Sequence, residues 1–264
     1  MEAPIMIQDL HSHTYYSFCG KDTPEAIVEA AIAGGLDLFG ISDHLYGAAY
    51  GTLSVFLANQ GAVERGEGTT AAVSDYDRAL HRYYDHINLI RDKYKDQIKI
   101  LRGIEVCTLR GDGFFIHHLP DDVDISYYDY CLMENLDWPN SITGGDMFTY
   151  AKRLGTPIVG IAHTDLFRHI ERIGANPADY FRRMAEENIF WEMNVSYDSI
   201  HGYREHEYML DFFADERKQE LIRESGVRIS VGFDGHRVED YRPDRVVDYC
   251  RRLTAAGIKM PFED

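Results

Sequence analysis

Hydrophobic and polar residues follow two alternating patterns along the chain. Short apolar runs bounded by Gly, Pro and polar residues predict β-strands at residues 6–10, 36–42, 98–107, 127–133, 157–162, 189–195 and 227–231. Apolar residues at helical spacing predict helices at residues 74–95, 146–154, 177–187, 208–224 and 239–256. This alternation predicts an α/β protein with a parallel sheet, and roughly seven strand–helix units favour a barrel over an open sheet.

The segment between the second and third predicted strands departs from the regular alternation. Residues 46–74 are rich in Gly, Ala and Thr and predict a long loop before the helix at 74–95. We therefore expect an insertion or lid at residues 46–95 within a single domain that spans residues 1–264. The helix after the first strand has clear signals, with Thr23 and Pro24 at its start and a Gly34-Gly35 pair at its end.

Composition narrows the classes of protein. The 264 residues, 45% of them hydrophobic, are enough for one large core, and no run is long and apolar enough for a membrane helix. The N-terminus lacks the pattern of a signal peptide, and the four cysteines are widely spaced, so we expect a cytoplasmic protein without a membrane partner. A formal charge of −17 argues against a nucleic acid polymer as partner.

Histidines and acidic residues recur at the ends of the predicted strands. The set comprises His11 and His13, Asp43 and His44, Glu105, His163 and Asp165, and Asp234 and His236. In a parallel barrel the C-terminal ends of the strands converge on one face, where active sites are built. We therefore expect these side chains to share one site.

The residue types favour a metal centre. Period-two alternation directs His11 and His13 to the same side, and imidazole with carboxylate suits zinc, manganese or iron. A buried carboxylate such as Glu105 requires a cation and is suited to bridge two ions, which would activate water as hydroxide. The alternatives are surface histidines, a capped turn at His44, and a salt bridge between Glu105 and Arg102 or another arginine.

The ordered motifs resemble the polymerase and histidinol phosphatase (PHP) family. They are the HxH at residues 11–13, the DH at 43–44, the GxE at 103–105, the GIAH step at 160–163 and the DGH at 234–236. The stretch His163 to Arg168 and the Glu192-Met193-Asn194 strand resemble the histidinol-phosphate phosphatases in particular. The resemblance implies a distorted seven-stranded barrel, two or three divalent metal ions and phosphomonoester hydrolysis.

The resemblance also implies ligand roles. One metal would be held by His11, His13, Glu105 and Asp234. Glu105 would bridge to a second metal that His163 also binds, and His44 and His236 would hold a third. The catalytic set implied in this way is His11, His13, Glu105, His163 and Asp234.

Two positions depart from the family pattern. Cys19 occupies a slot where many members have histidine, and Leu136 occupies the place of another histidine after the strand that contains Asp129-Tyr130. Cys19 offers a thiolate for the first position. For the second, His117, Glu134 and Asp137 are the alternatives.

The leading functional hypothesis is a phosphatase for a small phosphorylated substrate similar to histidinol phosphate. Arg168, with His169, is the candidate contact for the substrate phosphate, because a guanidinium matches phosphate oxygens at two points. A solvated helix face shared with Arg172 is the alternative. Two other functions stay open at this point, namely a phosphodiesterase or amidohydrolase on the same centre and a metal-binding module without turnover. The sequence leaves the oligomeric state undetermined.

Overall fold

The computed structural model describes residues 5–50, 70–109, 118–143, 146–196, 202 and 205–263. The strands are β1 Gln8–Asp9, β2 Leu38–Ile41, β3 Lys99–Arg102, β4 Glu105–Cys107, β5 Cys131–Glu134, β6 Val159–Ile161, β7 Ile189–Asn194 and β8 Ile229–Gly232. The helices are α1 Pro24–Ala33, α2 Leu45–Tyr50, α3 Thr70–Tyr94, α4 Met147–Leu154, α5 Leu166–Arg172, α6 Pro177–Glu186, α7 Glu207–Ala214, α8 Glu216–Ser225 and α9 Pro243–Ala255.

Every strand pairing is parallel among the described strands. One sheet has the order β1-β2-β3 and the other the order β4-β5-β6-β7-β8, so the prediction of a parallel α/β fold is confirmed. Backbone hydrogen bonds also join the two sheets, from Leu10 N to Val231 O (3.0 Å) and from Glu105 N to Asp43 O (3.0 Å). The predicted strand at residues 98–107 forms two strands, interrupted at Gly103.

The predicted loop at residues 46–74 is wrong at both ends. Leu45–Tyr50 forms α2, and α3 begins at Thr70, so helix replaces loop on either side of residues 51–69, which lie outside the described residues. The six residues of α2 are too few to show a helical period in sequence. No helix in the described part of the chain combines the length and the apolar character that crossing a membrane requires.

Two predicted helices have different bounds. The helix predicted at residues 208–224 is interrupted at Asp215, whose extended backbone (φ −115°, ψ 99°) ends α7 and whose side chain caps α8. The helix predicted at 239–256 begins only at Pro243, where proline occupies the first turn of α9. The short helix α5, which follows Asp165, is an addition to the predicted elements.

The two faces of the strands have different roles. Phe39, Ile100 and Trp191 belong to a large core that the helices cover, whereas their neighbours along the strands belong to a smaller apolar cluster. The smaller cluster contains Leu10, Leu38, Leu101, Tyr130, Leu132, Ile158, Ala162 and Phe190. Because side chains alternate along a strand, Glu105 and Glu192 lie on the face of the smaller cluster. The candidate site therefore stands above a second apolar core.

Tyr130 fills the centre of the smaller cluster and needs two glycines beside it. Its hydroxyl donates to Leu10 O at 2.6 Å. A Cβ at Gly40 would lie 2.1 Å from Tyr130 Oη, and one at Gly103 would lie 2.4 Å from Tyr130 Cζ. Glycine is therefore required at both positions, because a tightly packed core has no room for an added methyl group.

The substitution Gly103→Ala tests this packing. We expect a loss of about 1–3 kcal/mol in the free energy of unfolding, because the new methyl group overlaps the Tyr130 ring. Urea denaturation measures the loss, and a Tyr130→Leu background should reduce it because the ring is absent. Equal losses in the two backgrounds would show that the ring is not the cause.

Candidate metal centre

The predicted metal ligands lie together where the strands end. The structure brings into one cluster His11, His13, His44, Glu105, His163, Asp234 and His236. Glu105 begins β4, and the others follow a strand. Most of these side chains are buried, and His163 is the most exposed, at 24%. The convergence of distant strand ends is as predicted, and their role as ligands stays a prediction.

Glu105 lies at the centre of the cluster, with imidazole nitrogens near both of its oxygens. Its Oε1 is 3.1 Å from His11 Nε2 and 3.4 Å from His163 Nε2. Its Oε2 is 2.7 Å from His44 Nδ1 and 3.6 Å from His13 Nε2. Asp234 adds a second carboxylate, with Oδ1 3.0 Å from His13 Nε2.

The contacts around Glu105 do not have the geometry of hydrogen bonds. Both of its oxygens are buried and accept no hydrogen bond from the described residues. Arg102, the alternative partner considered from the sequence, instead forms a two-point ion pair with Asp129, at 2.9 and 2.6 Å. Nitrogen and oxygen atoms that converge on one point in this way are an arrangement that a metal ion satisfies.

Glu192 holds the ring of His11 from behind. Its Oε1 lies 2.7 Å from His11 Nδ1, and its Oε2 accepts the backbone N–H of His163 at 2.8 Å. Because a carboxylate is an acceptor, His11 Nδ1 carries the proton and Nε2 faces the cluster with its lone pair. Gly232 makes this contact possible, since a Cβ there would lie 2.0 Å from Glu192 Oε1.

His13 and His236 are oriented in the same way. His13 Nδ1 lies 3.0 Å from Ser17 Oγ, which itself donates to Asp43 Oδ1 at 2.7 Å and therefore accepts from the imidazole. His236 Nδ1 donates to the carbonyl of Asp234 at 2.8 Å. In both rings the hydrogen bond at Nδ1 fixes the orientation in which the ring faces the cluster.

The electrostatics of the cluster favour a positive charge. Burial opposes charge on His11, but Asp234, Glu192 and Glu105 outweigh it and hold the pKa of His11 well above its usual value. Burial likewise opposes ionisation of Glu105, but His11 and His44 outweigh it and hold the pKa of Glu105 well below its usual value. His11 Nε2 and His13 Nε2 lie 3.1 Å apart, a distance at which a shared proton or cation relieves the repulsion of their lone pairs.

Glu134 is near the position of the missing family histidine. Its carboxylate oxygens lie 3.6 Å from His44 Nδ1 and 3.9 Å from His163 Nε2, and it forms a donor group with His44 and Glu105. Asp137 is in none of the donor groups found in the described part of the chain, and His117 lies outside the described residues. The geometry thus favours Glu134 over Asp137.

Cys19 is a free thiol at the opposite side of the cluster. Its Sγ and one ring nitrogen each of His13, His44 and His236 all lie within 4.8 Å of one another. Burial raises the pKa of the thiol, but contacts with His236 and His44 outweigh burial and lower it to about 7.

The residues after His163 form a helix start and a cavity. Asp165 accepts the backbone N–H of Arg168 at 3.0 Å and so caps α5, rather than joining the cluster. Arg168 is exposed and lines a cavity of about 560 Å³ together with Asp137 and Trp138. His169 is buried, with Nδ1 3.1 Å from a guanidinium nitrogen of Arg172.

Strained backbone occurs at the ends of three of the strands in the site. Asn135, His163 and Asp234 have positive φ values of 61°, 26° and 58°. Such conformations cost about 1–3 kcal/mol each in residues with a side chain and cluster at functional sites. Two of these three residues, His163 and Asp234, belong to the cluster.

Several residues that support the site were not identified as functional from the sequence. In the sequence, Glu192 is visible only as part of the Glu192-Met193-Asn194 motif. Asp9 accepts the backbone N–H groups of His11 and Phe233, and no motif points to it. Asp43 accepts from Thr14 and Ser17 and so positions the loop rather than facing a metal. The sequence signal that indicates a role for Glu192 is the presence of an acidic residue inside an apolar strand.

The parallel α/β fold and the cluster of histidines and carboxylates at the strand ends are the features of a metal-dependent α/β protein. The chain belongs to the PHP domain family, whose model matches residues 9–237. The resemblance noted in the sequence is thus confirmed. The comparison with curated proteins gives no match.

Solved structures show a similar fold. Histidinol phosphate phosphatase (HISK) from Lactococcus lactis subsp. lactis Il1403, complexed with zinc, L-histidinol and phosphate, has a TM-score of 0.52 at 15% identity, with 96% of this chain and 94% of that chain covered. A Listeria monocytogenes protein provisionally named histidinol phosphatase hisK has a TM-score of 0.39 at 17% identity, with 96% and 92% covered. The first of these similarities shows that the fold is shared.

The substitution Glu192→Gln tests the support of His11. We expect the affinity for zinc to fall about 10–100-fold, because the amide binds His11 Nδ1 more weakly and its NH₂ group conflicts with the His163 N–H. Isothermal titration of the metal-free protein measures the change. Glu187→Gln, at an ion pair with Arg183 on the surface, is the matched control. Unchanged affinity in Glu192→Gln would show that His11 needs no carboxylate.

Proposed function

We propose that the protein is a metal-dependent phosphoesterase that hydrolyses a small phosphate monoester. The observation that carries the proposal is Glu105, a buried carboxylate that accepts no hydrogen bond from the described part of the chain and lies among four imidazole rings. Family membership supports a metal-dependent hydrolase. The zinc, L-histidinol and phosphate bound by the Lactococcus lactis neighbour support a substrate similar to histidinol phosphate.

The donor set fits two or three divalent ions. In the proposed assignment His11, His13, Asp234 and Glu105 would hold the first ion. Glu105, His163 and Glu134 would hold a second, and His44 and His236 would hold a third. Imidazole and carboxylate donors suit zinc, manganese and iron.

The bound ions would lower the pKa of a water molecule toward neutrality and neutralise charge on a phosphoryl oxygen. The protein's own residues do the positioning. Glu192 fixes the ring of His11, and the chain from Ser17 to Asp43 fixes that of His13. Because these hydrogen bonds hold the rings in place, little reorganisation is required at the moment of reaction.

We propose that the cavity beside α5 receives the substrate, with Arg168 as its phosphate contact. The cavity of about 560 Å³ has the size of a site for a small molecule. Arg168 lies five positions after His163, and no ion pair with the described residues engages its exposed guanidinium. Trp138 and Asp137 line the same cavity and would face the organic part of the ester.

We also propose that the strands form one closed, distorted seven-stranded barrel in a single domain spanning residues 1–264. The bonds between β1 and β8 and between the ends of β2 and β4 support closure, if β3 and β4 are counted as one strand. Residues 46–95 are proposed as the insertion that borders the site. Within it, Tyr83 accepts the backbone N–H of Asp43 at 3.2 Å, so α3 already contacts the loop that positions His13.

Phosphate release from a panel of esters tests the function. Protein loaded with zinc, manganese or iron should release phosphate from monoesters, and histidinol phosphate should be among the good substrates. Glu105→Gln should lower kcat/KM about 100–1000-fold, because ions that lose their bridge supply several kcal/mol less stabilisation. Glu187→Gln again serves as the control.

The outcomes of the panel separate the alternatives. Silence toward all monoesters by protein with two or more bound ions would contradict the proposal, and turnover of diesters or amides alone would favour the other hydrolases. Fewer than two ions per chain by elemental analysis, with no turnover, would favour a metal-binding module.

The substitution Arg168→Ala tests the phosphate contact. We expect kcat/KM for monoesters to fall about 10–100-fold, because a hydrogen bond to a charged group contributes about 1.5–3 kcal/mol. Steady-state kinetics and the affinity for inorganic phosphate provide the measurement. Arg182→Ala, which removes an exposed arginine paired with Asp179 on α6, is the control. Equal effects of the two substitutions would place the phosphate elsewhere.

A further inference from the structure

Cys19 and its neighbours form a donor group of a different chemical kind from the rest of the cluster. The thiol sulfur and one ring nitrogen from each of His13, His44 and His236 all lie within 4.8 Å of one another. The centroid of the His13 ring is 4.4 Å from each of the other two rings. The group thus combines imidazole nitrogen with sulfur, whereas the other groups combine imidazole with carboxylate.

The backbone around Cys19 is fixed on both sides. Gly20 N donates to Ser17 O at 3.1 Å, and Lys21 N donates to His236 O at 3.0 Å. A Cβ at Gly20 would lie 1.9 Å from Thr14 O, so the turn closes tightly on itself. The turn that contains Cys19 is therefore hydrogen-bonded directly to His236. These backbone bonds fix the position of the thiol beside the cluster.

The histidines of this group are divided between two sites. His13 Nε2 lies 3.0 Å from Asp234 Oδ1, so its free nitrogen is committed to the ion expected between His11 and Asp234. His236 Nδ1 donates to the carbonyl of Asp234, and a ring nitrogen of His236 belongs to the donor group of Cys19. What is left beside Cys19 is thus His236 and His44, which alone would make a poor site for a third ion.

We propose that the Cys19 thiolate is a metal ligand, and that Cys19, His44 and His236 form a site that prefers zinc over manganese. The inference rests on the proposed function because it concerns the same centre. Thiolate and imidazole are ligands that zinc binds well, whereas manganese prefers oxygen. Binding releases the thiol proton to solvent as the sulfur–metal bond forms, so charge and atoms balance.

Cobalt absorption reads out the thiolate bond without any assay of activity. The metal-free protein is titrated with Co²⁺, whose bonds to thiolate give an intense near-ultraviolet charge-transfer band that imidazole and carboxylate do not give. We expect this band in the wild type and its loss in Cys19→Ser, together with about one fewer zinc ion per chain. Cys19→His should keep the ion and lose the band. Excess zinc should abolish the band, and excess manganese should not.

Cys250→Ser is the matched control, because Cys250 is buried in α9, far along the chain, and a hydroxyl preserves its bond to Gln8 O. A wild type that binds Co²⁺ without the band, or a band that persists in Cys19→Ser, would overturn the proposal. Should Cys19→Ser fold poorly, alkylation of wild-type Cys19 followed by mass spectrometry replaces it. Zinc must then slow the alkylation and manganese must not; equal rates with zinc and without metal refute the thiolate bond.

Assays of the same samples separate this inference from the proposed function. A band that depends on Cys19 in a protein that releases no phosphate supports the thiolate ligand and contradicts the phosphoesterase. Phosphate release by a protein that lacks the band does the reverse.

Discussion

The burial of Glu105 without a hydrogen-bond donor is the constraint on which the rest of the site depends. Removing a carboxylate from water is costly unless a positive charge or several donors compensate. Here the surrounding groups are imidazoles, and further carboxylates of Glu134, Asp234 and Glu192 lie close by. Without a metal the cluster takes up protons, as the raised pKa of His11 indicates. Protons on the imidazoles therefore compensate for the negative charge of the carboxylates when no metal is bound. Divalent ions held by the same groups would supply more positive charge.

The fold keeps this arrangement in place through small residues on one face of the strands. Gly103 leaves room for Tyr130 under the site, and Gly232 leaves room for Glu192 beside His11. Tyr130 in turn binds the carbonyl of Leu10, the residue directly before His11. The packing of the smaller apolar cluster and the orientation of the ligands are thus coupled. A substitution in this core is therefore expected to shift the candidate ligands, because Leu10 and Gly103 lie only one or two residues from His11 and Glu105.

The sequence was sufficient to predict which candidate ligands lie together and insufficient to predict the residues that support them. His11, His44, Glu105 and His163 were predictable because parallel strands place equivalent ends on one face, whatever the order of the strands. The role of Glu192 depends on which strands are neighbours and on an absent side chain at Gly232, and neither is visible along one chain. The short helix α2 was not predictable either, because its six residues are too few to show a helical period in the sequence.

The two departures from the family pattern have a common electrostatic consequence. Cys19 stands at one position where many family members have histidine, and Glu134 lies two residues before Leu136, which stands at the other, so each would add negative charge on binding a cation. A more negative donor set attracts divalent ions more strongly, but it also reduces the charge that an ion presents to water and to phosphate. In the proposed function, the exposed guanidinium of Arg168 would supply compensating positive charge at the phosphate. Metal retention and phosphate activation would then be divided between different residues, with the carboxylates and the thiol responsible for the first and Arg168 for part of the second.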